Sequence, residues 1–95
     1  MTHQFLVHRT GDHVGVAVAE ISPGASAGGV FMDTGERATV TSRSEIPLGH
    51  KIALTDLEPG SSVIEYGAAI GRVVAPILAG ELVHTHNIKT ARWSS

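Results

Sequence analysis

Six histidines stand in these 95 residues, and three of them are placed where imidazoles could act together. His84 and His86 are two apart in Leu82–Asn87, a stretch of strand character, so alternation would put both rings on one face and Asn87 on the other. His50 follows Pro47-Leu48-Gly49, where another strand is expected to begin. Three imidazoles meeting at one rim would make a metal site, or a polar cluster around an anionic substrate. A His-x-His pair by itself is also compatible with a plain hydrogen-bonded or exposed pair. Lys51, next to His50, and Arg72, inside the apolar run Ile70-Gly71-Arg72-Val73-Val74, are candidate anion holders. A carboxylate or sulfonate would satisfy such a guanidinium bidentately, and the alternative is a surface Arg lying along a sheet. His3, His8 and His13 are read as surface groups, and Glu20, Glu45, Asp56, Glu58, Glu65 and Glu81 as solvated residues beside turns. No phosphate-binding glycine loop and no nucleophile–base pair at a recognisable spacing is present. The chain has no Cys, which excludes disulfides, iron–sulfur clusters and thiol catalysis within it.

The elements that must hold these residues are short. Eleven Gly and four Pro interrupt the chain too often for a long helix. Strands are expected at Gln4–His8, Val14–Glu20, Arg37–Ser42, Lys51–Leu54, Ser62–Tyr66, Arg72–Ala75 and Leu82–Asn87, each rich in Val, Ile or Thr and bounded by turn formers. One local device recurs: Ile21-Ser22-Pro23-Gly24, Ile46-Pro47-Leu48-Gly49, Leu57-Glu58-Pro59-Gly60 and Ile77-Leu78-Ala79-Gly80. The aliphatic residue would anchor in the core, Pro would preset the turn, and Gly would supply the positive φ of a type II turn. The glycines are unequally spaced, so this is a repeated turn and not a repeat fold. Gly24–Glu36, with its small residues, is expected to be an irregular loop able to cover something. Residues 88–95 read as a tail that touches a partner, with Trp93 as its anchor or else folded back locally.

Length and composition fit a single all-β domain over residues 1–95. Hydrophobic residues are 42% and charged residues 17%, and the only aromatic carbon rings are Phe5, Phe31, Tyr66 and Trp93. Such a thin core is expected to gain from a permanent partner. Seven scattered basic against nine acidic residues cannot track a phosphate backbone, so nucleic acid is not an expected partner. The first apolar stretch, Val14–Ala19, is too short for a secretion signal, and no stretch has the length of a membrane span. A soluble cytoplasmic protein is expected.

Three stretches, taken in order, carry a resemblance: Ile46–Leu54, Val63–Gly67 and Ala79–Asn87. Together they resemble the SAF (antifreeze-like, β-clip) domain of the altronate and galactarate dehydratase family. The resemblance implies a small β-clip of short strands and Pro-Gly turns, with little or no helix. In that family the domain is fused to a catalytic region or made as a separate small subunit, and this chain is similar to the separate form. Gln4–His8, Ile70–Ile77 and Asn87–Trp93 are most similar to the sulfolactate-cleaving branch. The implied chemistry is β-elimination from a 2-hydroxy acid: a proton leaves C2, and hydroxide or sulfite leaves C3. The implied cofactor is a divalent metal, iron(II), held mainly by a large catalytic subunit that also carries the general base. On this reading the substrate is an anionic small molecule met by His50, Lys51, Arg72 and Asn87, with His84 and His86 on the metal. The isolated chain is expected to be inactive. A sugar-acid dehydratase subunit and a free-standing carbohydrate-binding module are the alternatives. Ice binding is disfavoured, because Thr39-x-Thr41 is the only Thr row.

Overall fold

The computed structural model describes residues 3–90. Among these, nine short strands and no helix are found: β1 (Phe5–Val7), β2 (Val14–Ala17), β3 (Ser26–Phe31), β4 (Arg37–Thr41), β5 (Lys51–Ala53), β6 (Ser62–Glu65), β7 (Ala68–Val73), β8 (Leu82–Val83) and β9 (Ile88–Thr90). Six form one sheet in the order β4-β3-β1-β2-β5-β8, and β6-β7-β9 form a second. All pairings are antiparallel except β1 with β3. Two cores result. Phe5, Val7, Ala17, Ile21, Ala27, Ile46 and Ile52 make one, and Val14, Ala53, Leu57, Val63, Val73, Ile77 and Val83 the other. Neighbouring residues on a strand face opposite ways, so buried Ile52 and Ala53 each enter a different core and β5 is covered on both faces.

The recurrent turn is the clasp that builds both halves. Its glycines stand at φ +84 (Gly24), +85 (Gly49), +91 (Gly60) and +92 (Gly80), always third in a turn closed by a hydrogen bond from residue four to residue one. Proline occupies the second position at Pro23 and Pro59 but the first at Pro47, so the glycine is the constant part of the device. Gly24 N–H donates to Ser42 O and Ser42 N–H to Ala25 O, while Gly49 N–H donates to Ala17 O and Ala17 N–H to His50 O. Ala17 and Ser42 each lead, seven residues on, to the turn that clasps the other. Ala53 and Val73 repeat this exchange through Gly80-Glu81 and Gly60-Ser61, and all eight bonds are 2.7–2.9 Å long. The anchors pair as well, Ile21 with Ile46 and Leu57 with Ile77, all four buried.

Three expectations are corrected. The segment 24–36 is not an irregular loop, because β3 pairs with both β1 and β4 inside the larger sheet. Its small residues serve close packing: a Cβ on Gly29 would run into the ring of Phe5. The strand expected at Arg72–Ala75 begins earlier, at Ala68, as the second arm of a hairpin. Leu82–Asn87 is not one strand; β8 ends at Val83, a turn follows, and β9 begins at Ile88. Residues 88–90 therefore belong to a sheet, and the tail contact expected of Trp93 lies outside the described residues.

Candidate functional site

His50 and His84 meet because of strand register. β5 pairs with β8 through Lys51↔Val83 and Ile52↔Leu82, and continuing that antiparallel register by one residue sets His50 opposite His84. Each backbone is pinned. The His50 N–H donates to Pro47 O and its carbonyl accepts from Ala17. The His84 N–H donates to Asn87 Oδ1 (2.9 Å), and its carbonyl accepts from Asn87 and Ile88. The ring centroids are 5.1 Å apart with planes inclined at 56°.

A cleft of about 680 Å³ opens beside this pair, where β5 and β8 of one sheet face β6, β7 and β9 of the other. Its polar lining includes His50, Lys51, Glu65, His84, Lys89 and Thr90, set among the apolar Ile70, Val83 and Ile88. Glu65 is buried, and its oxygens face Lys51 Nζ at 3.6 Å and His8 Nε2 at 3.5 Å. Lys89 has no ion pair among the described residues, and it stands opposite Arg72 across β7 and β9. Like charges in direct cross-strand opposition repel. Thr90 Oγ1 is buried there with no hydrogen-bond partner among the described residues.

Of the residues singled out from sequence, His50, Lys51 and His84 come together at the cleft. His86 does not line it; it is exposed in the turn, so the partner of His84 is His50. The rule that put His84 and His86 on one face required a strand, and Asn87 breaks that strand. Its buried amide accepts from His84 N–H and donates to Leu82 O (2.8 Å), competing with ladder hydrogen bonding. Asn87, expected against the substrate, thus has its amide engaged by the backbone and acts as a brace under His84. Arg72 is exposed, while its neighbours Gly71 and Val73 are buried, so the apolar run around it reflects alternation and not a buried guanidinium. His8 and His13 are not merely solvated. His8 stacks on Tyr66 at 3.7 Å, and His13 Nδ1 accepts from Ile64 N–H. Glu65 and Lys89 were missed; the alternation Ser62-Val63-Ile64-Glu65, with Val63 in the core, is the signal that could have turned Glu65 inward.

The donor set does not by itself make a metal centre. Among the described residues no three His, Asp or Glu side chains converge to hold an ion. His50 and His84 could provide two imidazole nitrogens, fewer than a tetrahedral or octahedral ion needs.

Fold and cleft together define a class: a small all-β domain of reciprocally clasped turns, bearing a cleft lined by two imidazoles, two lysines and a buried carboxylate. The chain belongs to the altronate/galactarate dehydratase SAF-domain family, which it matches over residues 3–91. It is 44% identical over 94 residues to the (2R)-sulfolactate sulfo-lyase subunit alpha of Chromohalobacter salexigens, covering 98% of this chain and 100% of that one. The subunit alpha of the same name from Paracoccus pantotrophus is 48% identical over 54 residues, 57% of this chain and 81% of that one. The altronate dehydratase of Escherichia coli is 44% identical over 79 residues, which are 83% of this chain but 15% of that enzyme. These relatives are lyase and dehydratase components, and no helix among the described residues is long and apolar enough to cross a membrane.

Proposed function

We propose that this chain is the small subunit of a two-subunit lyase that converts sulfolactate to pyruvate and sulfite. The observation that carries the reading is the end-to-end match with a protein named as a sulfolactate sulfo-lyase subunit alpha. The cleft supports it, since Lys51 and Lys89 supply cations for a substrate with a carboxylate and a sulfonate. In the proposed reaction a base on the large subunit removes the C2 proton. The C3–S bond then breaks, sulfite leaves with the electron pair, and the resulting enol tautomerises to pyruvate. A divalent metal, iron(II) by family resemblance and held mainly by the large subunit, would stabilise the enediolate when bound. This chain's own part is to bind and orient the anion through Lys51, Lys89, His50 and His84. On this reading the isolated chain is inactive and the complex works in the cytoplasm.

The test is co-expression with a large subunit of the same family and measurement of sulfite released from sulfolactate. Release by the complex and none by either chain alone is expected; release by this chain alone would refute the two-subunit reading. The match to altronate dehydratase favours a second reading, dehydration of a sugar acid by the same proton abstraction. Formation of a 2-keto acid from altronate, with no sulfite from sulfolactate, would select it.

A further inference from the structure

Glu65 sits where a carboxylate is costly unless it has a task. It is 4% exposed, and burying a charge is unfavourable unless the charge is paired. Its oxygens are both engaged, Oε1 by the Lys51 ammonium and Oε2 by the His8 imidazole. The next residue adds a second cost. Tyr66 has φ +58, in the left-handed region that a side chain rarely adopts, and with Gly67 it closes the two-residue hairpin between β6 and β7. Three contacts hold that conformation. Asp12 accepts from the N–H groups of Tyr66 (2.9 Å) and Gly67 (3.1 Å), and the Tyr66 ring stacks on His8, the same residue that meets Glu65. Strain survives only where its surroundings over-determine it, and here they fix the end of β6 on which Glu65 stands. Across the cleft wall, the Lys51 side chain is 34% exposed, so a flexible lysine is largely covered and tethered at its tip.

We infer that Glu65 is a positioning residue: it acts through Lys51, holding the ammonium at the cleft wall so that an anionic 2-hydroxy acid meets a preset cation. The ligand in this statement rests on the proposed function; the tether does not. A free lysine would have to be ordered by the substrate itself, which weakens binding without altering the bond-breaking step.

The experiment uses the reconstituted two-subunit complex for kinetics and the full chain with carbon-13-labelled lysines for motion. Glu65→Gln is expected to raise KM about tenfold with kcat within about twofold, the pattern of lost uniform binding. Lys51→Ala should give a similar rise, and the double variant no more than Lys51→Ala alone. Independent multiplication of the two effects, an unchanged KM, or a loss confined to kcat would overturn the inference. In the full chain, the Lys51 terminal methylene should be more restricted than that of Lys89, and in Glu65→Gln equally free. Lys51 as mobile as Lys89 in the unaltered chain would also overturn it, whatever the complex turns over. A restricted Lys51 in a complex that cleaves neither sulfolactate nor a sugar acid would sink the substrate reading and support the tether. If Glu65→Gln does not fold, Glu65→Asp replaces it, and there Lys51 should loosen and KM rise; no change in either counts against the inference.

Discussion

Asn87 shows how one side chain can set the geometry of a site it does not enter. Its amide bonds to the backbone on both sides, at Leu82 and His84, and so shapes the turn that presents the His84 ring. Asn87→Ala would leave the part-buried His84 N–H and Leu82 carbonyl without these partners, a loss of about 2 kcal/mol by the usual penalty for unmade hydrogen bonds. Urea unfolding should show that loss, and in the complex it should be joined by reduced activity. Asp33 offers a quieter test. The Thr10 backbone N–H, followed by the Thr10 hydroxyl, donates to its carboxylate and holds its pKa below the ordinary 3.8. A depressed carboxyl stabilises the fold above its unfolded value and loses that contribution as pH falls through the lower, folded one. Carbon-13 titration of Asp33 should therefore give a midpoint below 3.8, and Thr10→Ala should raise it only part of the way, because the backbone bond remains. At this scale the sequence marks candidate residue types better than it shows where they point. The meeting of His50, Lys51 and His84 at one cleft was legible from chemistry and motif, whereas the inward turn of Glu65 was hidden because a carboxylate beside a turn is usually solvated. His86 misled because period-two alternation has no meaning once Asn87 ends the strand.

The clasp is the element that organises the rest. Four anchors and four positive-φ glycines were readable from local chemistry, since a turn needing φ above zero strongly favours glycine. Their reciprocal pairing was not readable, because Ala17, Ser42, Ala53 and Val73 carry no mark of the turn each will accept. β3 was missed for a related reason. Small residues suggest a flexible loop until it is known that Phe5 lies across Gly29. The clasps also differ in tolerance. Gly24 has open space around the position a Cβ would take, so Gly24→Ala should cost only the backbone strain, on the order of 1 kcal/mol. At Gly80 the same Cβ would overlap the Thr41 carbonyl oxygen, where one half of the molecule touches the other. Gly80→Ala should therefore cost several times more, roughly 3 kcal/mol or above when the backbone must move. Thermal or urea unfolding of the two variants side by side reads this directly, and equal costs would mean that the clasps are interchangeable.

At the scale of the molecule, the cleft is a meeting of two sheets that brings lysines and imidazoles together. Two imidazoles, two lysines and one tethered carboxylate can bind and orient an anion, but no three metal ligands converge among the described residues. Such a surface gains its meaning from what faces it, and this sets a clear order of effects among the histidines. In the reconstituted complex, His50→Ala and His84→Ala should each lower kcat/KM by roughly 10²-fold, about 2.7 kcal/mol of transition-state stabilisation. His86→Ala should leave it within about threefold, because that ring lies outside the cleft. None of the three should move the melting temperature of this chain appreciably, since they lie outside both cores and surface substitutions of that kind cost within about 0.5 kcal/mol. Metal content measured on the same variants separates the two possible roles. Loss of an imidazole ligand empties or weakens the shared site, whereas loss of a substrate contact leaves the ion in place. Activity that depends on His86 and not on His50 would place the working surface on the outer face of the 84–87 turn, away from the cleft.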